Sequence, residues 1–282
     1  MRLQRFTEVD EFLGVAGAFL GAREAEHNLI FGVCSSVRET PEAYTGPPYF
    51  AVVTNGDIVV AAAIQTPPFR LVLSEVDDPE AIEVLVGDVA DRDLPGVLGP
   101  VEVVRAFVEE RAAQGGPTAR ISESERIFRL TAVIPPRPVA GQCRPANLGD
   151  RAVVRDWIAA FMLEAFGEVD LADVTASTDR WLAGRGRTLY LWEDSDVVSL
   201  CGVGGETPNG IRIGPVYTPP EVRGRGYASA LVAGVSQAEL DAGRRFCFLF
   251  TDLANPTSNH IYQMIGYEPV RDVDVYRFDR RG

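Results

Sequence analysis

Two stretches of the chain carry the same order of apolar and polar positions. In Phe50-Ala51-Val52-Val53-Thr54-Asn55-Gly56-Asp57-Ile58-Val59-Val60 an apolar run, a polar turn and a second apolar run follow one another, and Leu189-Tyr190-Leu191-Trp192-Glu193-Asp194-Ser195-Asp196-Val197-Val198-Ser199 aligns with it without a gap. Each reads as strand, tight turn, strand. A further extended segment follows in both places, at 69–73 and at 211–216, and then a helix, at 100–113 in the first half and 226–242 in the second; each half also opens with an amphipathic helix. A repeated order of elements predicts tandem copies of one α/β domain.

The second helix has the clearest local signals. Tyr227, Leu231, Val235 and Leu240 recur near helical spacing, and Gly243 supplies a left-handed stop. In front of it, Val222-Arg223-Gly224-Arg225-Gly226-Tyr227-Ala228-Ser229 turns the chain from strand to helix through two glycines. A helix start with no side chains at Gly224 and Gly226 leaves backbone N–H groups open to an anion, and a diphosphate fits that arrangement. No Lys-Ser/Thr pair closes the motif, and Ser229 stands where the third glycine of a dinucleotide-binding turn falls, so neither a P-loop nor a nicotinamide site is favoured. Downstream, an apolar run at 246–251 precedes Asn255-Pro256, an N-cap with proline at the first helical position, and Gly266 marks the end of that shorter helix. Strand, crossover helix and strand of this length run parallel and right-handed, which gathers helix N-termini at one sheet edge.

Three of these motifs in this order resemble the GNAT acetyltransferase superfamily. Arg223, Gly226 and Ala228 fit the family pattern Arg/Gln-x-x-Gly-x-Gly/Ala; Ile211-Arg212-Ile213-Gly214-Pro215-Val216-Tyr217-Thr218 resembles its central strand; and Asn255 to Tyr262 with Gly266-Tyr267 resembles its Asn…Tyr…Gly-aromatic signature. The resemblance implies an α/β (α+β) fold of two tandem GNAT-like domains, each a mixed, mostly antiparallel sheet flanked by helices with a parallel, splayed central strand pair. It also implies acetyl-CoA as co-substrate, with an acetyl group passing directly to the amine of a small-molecule or peptide acceptor in a ternary complex.

The coenzyme contacts it implies are the backbone of Val216, Tyr217 and Thr218 for the pantetheine arm, and the turn Arg223, Gly224, Arg225, Gly226, Tyr227, Ala228 and Ser229 for the pyrophosphate. Arg223 and Arg225 are read either as phosphate partners or as solvated turn residues, and Asn255 either as a pantetheine contact or as an N-cap alone. Tyr262 matches the family's tyrosine that protonates the leaving thiolate; a core position beside Ile261 and Ile265 is the alternative. The family often places a glutamate on or near the central strand, yet residues 211–218 hold no carboxylate. Glu164, Glu168, Glu206 and His260 are candidates for the base, which stays unassigned.

Composition narrows the partners. A formal net charge of −13 argues against nucleic acid and mildly favours a cationic amine, and all 27 basic side chains are arginine. Cys34, Cys143, Cys201 and Cys247 are widely spaced and support neither a zinc site nor a disulfide framework, so no metal is expected. No signal peptide and no membrane-spanning run is read, which predicts a soluble, cytoplasmic protein whose oligomeric state stays open. The expected division is a degenerate domain at 1–134, a stiff linker at 135–142 and a catalytic domain at 143–282. The cradle position of the first half, taken as Asp93 to Pro100, has no matching arginine, so one coenzyme per chain is expected. Two other functions remain in play: an acyl-CoA-binding regulator without turnover, and a synthase acetylating a low-molecular-weight thiol precursor.

Overall fold

The repeated alternation becomes two hairpins with the same irregularity. In a computed structural model describing residues 1–167 and 169–279, β2 (Tyr49–Asn55) pairs with β3 (Ile58–Gln65), and β8 (Arg187–Asp194) with β9 (Asp196–Gly204), both antiparallel. The register shifts between Val53 and Thr54 in the first and between Trp192 and Glu193 in the second. These are aligned positions of the repeat. A β-bulge recurring at the same place in both halves is a structural sign of duplication that the apolar pattern alone does not carry.

The chain divides into two compact units: Met1–Ile127 with Phe250–Asn255 and the chain from Pro269 on, and Phe128–Leu249 with Pro256–Glu268. The first holds β1 (Arg2–Phe6), α1 (Val9–Gly21), α2 (Asn28–Glu39), β2, β3, β4 (Leu71–Leu73), α3 (Glu80–Asp88), β5 (Gly96–Pro100), α4 (Val101–Ala113) and most of β6 (Ala119–Leu130). The second holds β7 (Gln142–Pro145), α5 (Arg151–Phe166), α6 (Leu171–Leu182), β8, β9, β10 (Gly210–Tyr217), α7 (Tyr227–Asp241), the start of β11 (Phe246–Asp252) and α8 (Pro256–Met264). The final strand, β12 (Glu268–Phe278), runs antiparallel to β5 and pairs Val273 with Pro100, so the last segment of the chain completes the first unit.

Two expectations change here. The division falls after Ile127 rather than at 135–142, and those residues are fastened to the second unit: the Ile134 N–H donates to the Ile265 carbonyl and Trp192 Nε1 to the Ala140 carbonyl. The helix matching α7 is α3, since each stands between the two parallel strands of its unit (β4 with β5, β10 with β11), whereas the stretch expected at 100–113 is α4, Val101–Ala113, the counterpart of α8. An apolar helical pattern marks a helix but not which crossover it makes.

Strand residues alternate between two buried faces, which explains their nearly continuous apolar runs. Phe50 and Val52 pack with Phe12, Leu20 and Ile30 on one side, while Ala51 and Val53 pack with Leu85, Val104 and Phe107 on the other. In the second unit Cys201 and Val203 join Leu231, Val235 and Tyr262, and Leu200 faces Val154 and Ile158. Each unit is a sheet between two helical layers.

Candidate functional site

The parallel pair of the second unit opens partway along. Gly210, Ile211 and Arg212 of β10 pair with Phe246, Cys247 and Phe248 of β11, and no further register follows although β10 continues to Tyr217. At the start the strands lie close together, where a Cβ on Gly210 would be 2.9 Å from the Phe246 carbonyl oxygen. On its other edge β10 pairs with β9, with a shift between Ile213 and Val216 around Gly214 and Pro215. Beyond the bulge Val216 lies opposite Cys201 and Tyr217 opposite Leu200. One edge of β10 from Ile213 on is therefore left without a β11 partner among the described residues, the arrangement an added extended ligand needs.

The ends of that strand are already partly engaged. Ser199, fully buried, donates through Oγ to the Tyr217 carbonyl at 3.2 Å and meets Thr218 Oγ1 at 2.9 Å. The Thr218 carbonyl accepts Arg223 Nε at 2.7 Å. Of the three residues expected to offer backbone groups to a pantetheine arm, Tyr217 and Thr218 thus have carbonyls committed inside the protein.

The turn behaves as its glycines predict. Gly224 has φ +74° and Gly226 φ +88°, and Gly226 is the residue in front of α7. A Cβ at Gly226 would lie 3.1 Å from Val139 Cγ1, so residue 139 forms one wall of the turn. The first backbone bond of the helix is Ala230 N–H to the Gly226 carbonyl. Among the described residues, the N–H groups from Gly224 to Ser229 find no acceptor in the protein. A run of open donors at the positive end of a four-turn helix fits a diphosphate. Tyr227 sits in the core with its hydroxyl donating to Asp194 at 2.6 Å, which raises its pKa and fixes the first residue of the helix.

Arg223 points elsewhere. Its Nη2 contacts both carboxylate oxygens of Glu164, at 2.9 and 2.8 Å, and the guanidinium lies over the Tyr217 ring at 5.7 Å. Arg225 is exposed in the turn near the Tyr227 hydroxyl. Asn255 lies in the turn after β11, its N–H donating to the Asp252 carbonyl, directly before the first residue of α8.

Tyr262 is 8 % exposed and packs in the cluster that contains Ile213, Val216 and Cys201. Its ring meets Tyr267 edge-on at 6.0 Å. Burial pushes its pKa upward, and the neighbouring Cys201 adds to the rise, so the phenol stays protonated through neutral pH. Buried Cys201 and Cys247 are held protonated in the same way, Cys247 pushed up to about 12, which fits inert core thiols. Of the candidate bases, Glu164 is paired with Arg223 and Glu206 with Arg244, His260 is exposed, and Glu168 lies outside the described residues.

The corresponding place in the first unit is built differently. After β4 the chain runs Ser74-Glu75-Val76-Asp77-Asp78-Pro79 into α3. Asp78 Oδ1 accepts the Glu80 N–H at 3.2 Å, so the helix start is met by the chain's own carboxylate. Buried His27 accepts the Glu75 N–H through Nε2 at 3.0 Å. The strands do not open either: a Cβ on Gly99 of β5 would lie 2.8 Å from the Leu73 carbonyl oxygen. Acidic residues there repel a phosphate. The stretch expected to be the first-half cradle, Asp93 to Pro100, is largely strand β5 instead.

Among the described residues no group of three or more His, Cys, Asp or Glu side chains is set to hold a metal, and no helix is long and apolar enough to cross a membrane.

Comparison with known proteins places this architecture. The family model for FR47-like proteins matches residues 193–276. No curated protein matches the sequence. A Drosophila protein from a structural genomics consortium superposes with a TM-score of 0.70 at 16 % identity, covering 98 % of both chains. A GCN5-related N-acetyltransferase from Sphaerobacter thermophilus gives 0.61 at 18 % identity over 99 % of this chain and 96 % of that one. A tandem GNAT protein from the clavulanic acid biosynthesis pathway, solved without AcCoA, gives 0.55 at 15 % identity over 98 % and 97 %. The chain has the tandem GNAT fold.

Proposed function

We propose that the chain is an acyltransferase that moves an acetyl group from acetyl-CoA to the amine of a small-molecule acceptor, with the second unit carrying both coenzyme and chemistry. The observation that carries this reading is the row of unpaired N–H groups from Gly224 to Ser229, next to a strand whose edge is open beyond Ile213. A diphosphate takes the donors and an extended pantetheine arm takes the edge. Acetyl-CoA supplies an activated thioester. The neutral amine attacks its carbonyl carbon, a C–N bond forms as the C–S bond breaks, and Tyr262 delivers a proton to the departing sulfur. Phenol chemistry suits that role because the buried hydroxyl is protonated before the sulfur leaves. The amine's own proton passes to solvent or to a base that this reading leaves unassigned.

A second reading, acyl-CoA binding without turnover, is favoured by one observation: β10, Gly-Ile-Arg-Ile-Gly-Pro-Val-Tyr, presents no carboxylate. Thiol release from acetyl-CoA over a panel of small amines separates the two. Amine-dependent release supports the transferase, whereas tight coenzyme binding with no release for any amine would favour the sensor. The protein is proposed to work in the cytoplasm.

A further inference from the structure

Arg223 is the arginine of the turn motif, and its side chain is committed within the protein. Nε holds the Thr218 carbonyl at 2.7 Å, Nη2 holds both oxygens of Glu164, and the guanidinium covers the Tyr217 ring. Tyr217 in turn contacts Trp157 of α5, ring centroids 5.9 Å apart. Glu164 stands in the last turn of α5, where the negative end of the helix disfavours a carboxylate and no basic residue of that turn offsets it. Arg223 supplies that cation from 59 residues away in sequence. Three separate elements, the end of β10, the turn before α7 and the C-terminal end of α5, converge on one guanidinium.

We propose that Arg223 is a positioning residue that ties the coenzyme turn to the end of β10 and to helix α5, and is not a phosphate ligand. The inference rests on the reading of the turn as a coenzyme site and adds how that site is kept in shape. The Thr218 bond fixes where β10 ends relative to the open N–H groups, which sets the spacing between pantetheine and pyrophosphate contacts. Glu164 holds the guanidinium in the orientation that makes the bond, so removing Glu164 loosens the turn and frees no phosphate ligand. A planar guanidinium with five donors in a fixed fork serves the carbonyl and the carboxylate from separate nitrogens.

The two roles give opposite orders of variants in calorimetric titrations with coenzyme A. As a positioning residue, Arg223→Ala loses affinity by about tenfold, the worth of one hydrogen bond from a charged donor, while Arg223→Gln, whose amide can still donate to Thr218, recovers most of it. Glu164→Gln binds coenzyme A no more tightly than wild type. If Arg223→Gln binds as poorly as Arg223→Ala, or if Glu164→Gln binds more tightly because a competing carboxylate has gone, the guanidinium is a phosphate ligand and the proposal fails. A thermal double-mutant cycle of Arg223→Gln and Glu164→Gln without coenzyme provides an independent check: non-additive losses support the tie, and additive losses contradict it. Absence of coenzyme binding by the wild type overturns the functional reading, while that cycle still decides the tie.

Discussion

The Tyr262 and Tyr267 rings meet edge-to-face with centroids 6.0 Å apart, but only Tyr267 has its hydroxyl paired inside the core, with Ser236 at 2.8 Å. With Tyr262 as the proposed proton donor and Tyr267 as a core residue, the two give different expectations on substitution. Tyr262→Phe is expected to lower kcat by about 10²–10⁴ with coenzyme A affinity unchanged, the signature of a lost proton donor. Tyr267→Phe leaves Ser236 without that partner and is expected to cost about 1 kcal/mol in urea unfolding, with kcat kept within a few-fold. Because burial raises the Tyr262 pKa, deprotonation of this phenol produces no alkaline loss of kcat below the ordinary tyrosine range. An unchanged kcat in Tyr262→Phe would remove the assignment.

The turn can be tested through its glycines. Gly226 holds φ +88° with Val139 close to the place of a Cβ, whereas Gly234 in the body of α7 is exposed with open space around it. Alanine at 226 is expected to destabilise by about 1–2 kcal/mol and to weaken coenzyme A binding about tenfold or more. Alanine at 234 is expected to stabilise by about 0.5–1 kcal/mol and to leave binding alone. Equal coenzyme affinity in the two variants would contradict the role given to the turn.

Much of this site was legible because its determinants are local. Glycines at 224 and 226, the spacing of Tyr227, Leu231 and Val235, and Asn255-Pro256 each act within a few residues, and α7 and α8 form where those signals lie. Longer-range facts had no such trace. Arg223 finds Glu164 across the fold, β12 joins β5, and residues 134–141 lie along the second unit because their partners, Ile265, Trp192 and Gly226, are distant in sequence. The mistaken match of residues 100–113 with α7 has the same origin: which strands a helix connects is set by distant pairing, and α3, Glu80–Asp88, is the shorter of the two helices of the first half that follow β4.

Acid sensitivity should come from the first unit. His27 is buried, bonds the Leu20 carbonyl through Nδ1 and accepts the Glu75 N–H through Nε2, and burial is the main cause of its lowered pKa. Leu20 and the charges of Arg23, Glu26 and Asp77 also act on it. A folded pKa below the unfolded value of 6.5 means that the unfolded chain binds the proton first, so this group's contribution is complete above 6.5 and is lost as pH falls below it. Glu75, raised by burial from 4.5, works in the opposite direction, its contribution fading as pH rises from there. Thermal unfolding from pH 7.5 to 5 should therefore show a steeper fall in Tm for wild type than for His27→Gln. Parallel curves would mean that His27 is not the titrating group.

Coenzyme stoichiometry follows from the contrast between the two helix starts. Asp78 occupies the N–H of Glu80 in the first unit, while the N–H groups from Gly224 to Ser229 are open in the second. Titration with coenzyme A is expected to give one site per chain, lost when the turn of the second unit is altered. Two equivalent sites would contradict the account of the first unit.

The most direct test of the central claim is a crystal structure with coenzyme A bound. The account predicts the diphosphate on the N–H groups from Gly224 to Ser229, the pantetheine along β10 past Ile213, and the sulfur within hydrogen-bonding reach of the Tyr262 hydroxyl. A coenzyme seated at the start of α3, or a sulfur remote from Tyr262, would contradict it.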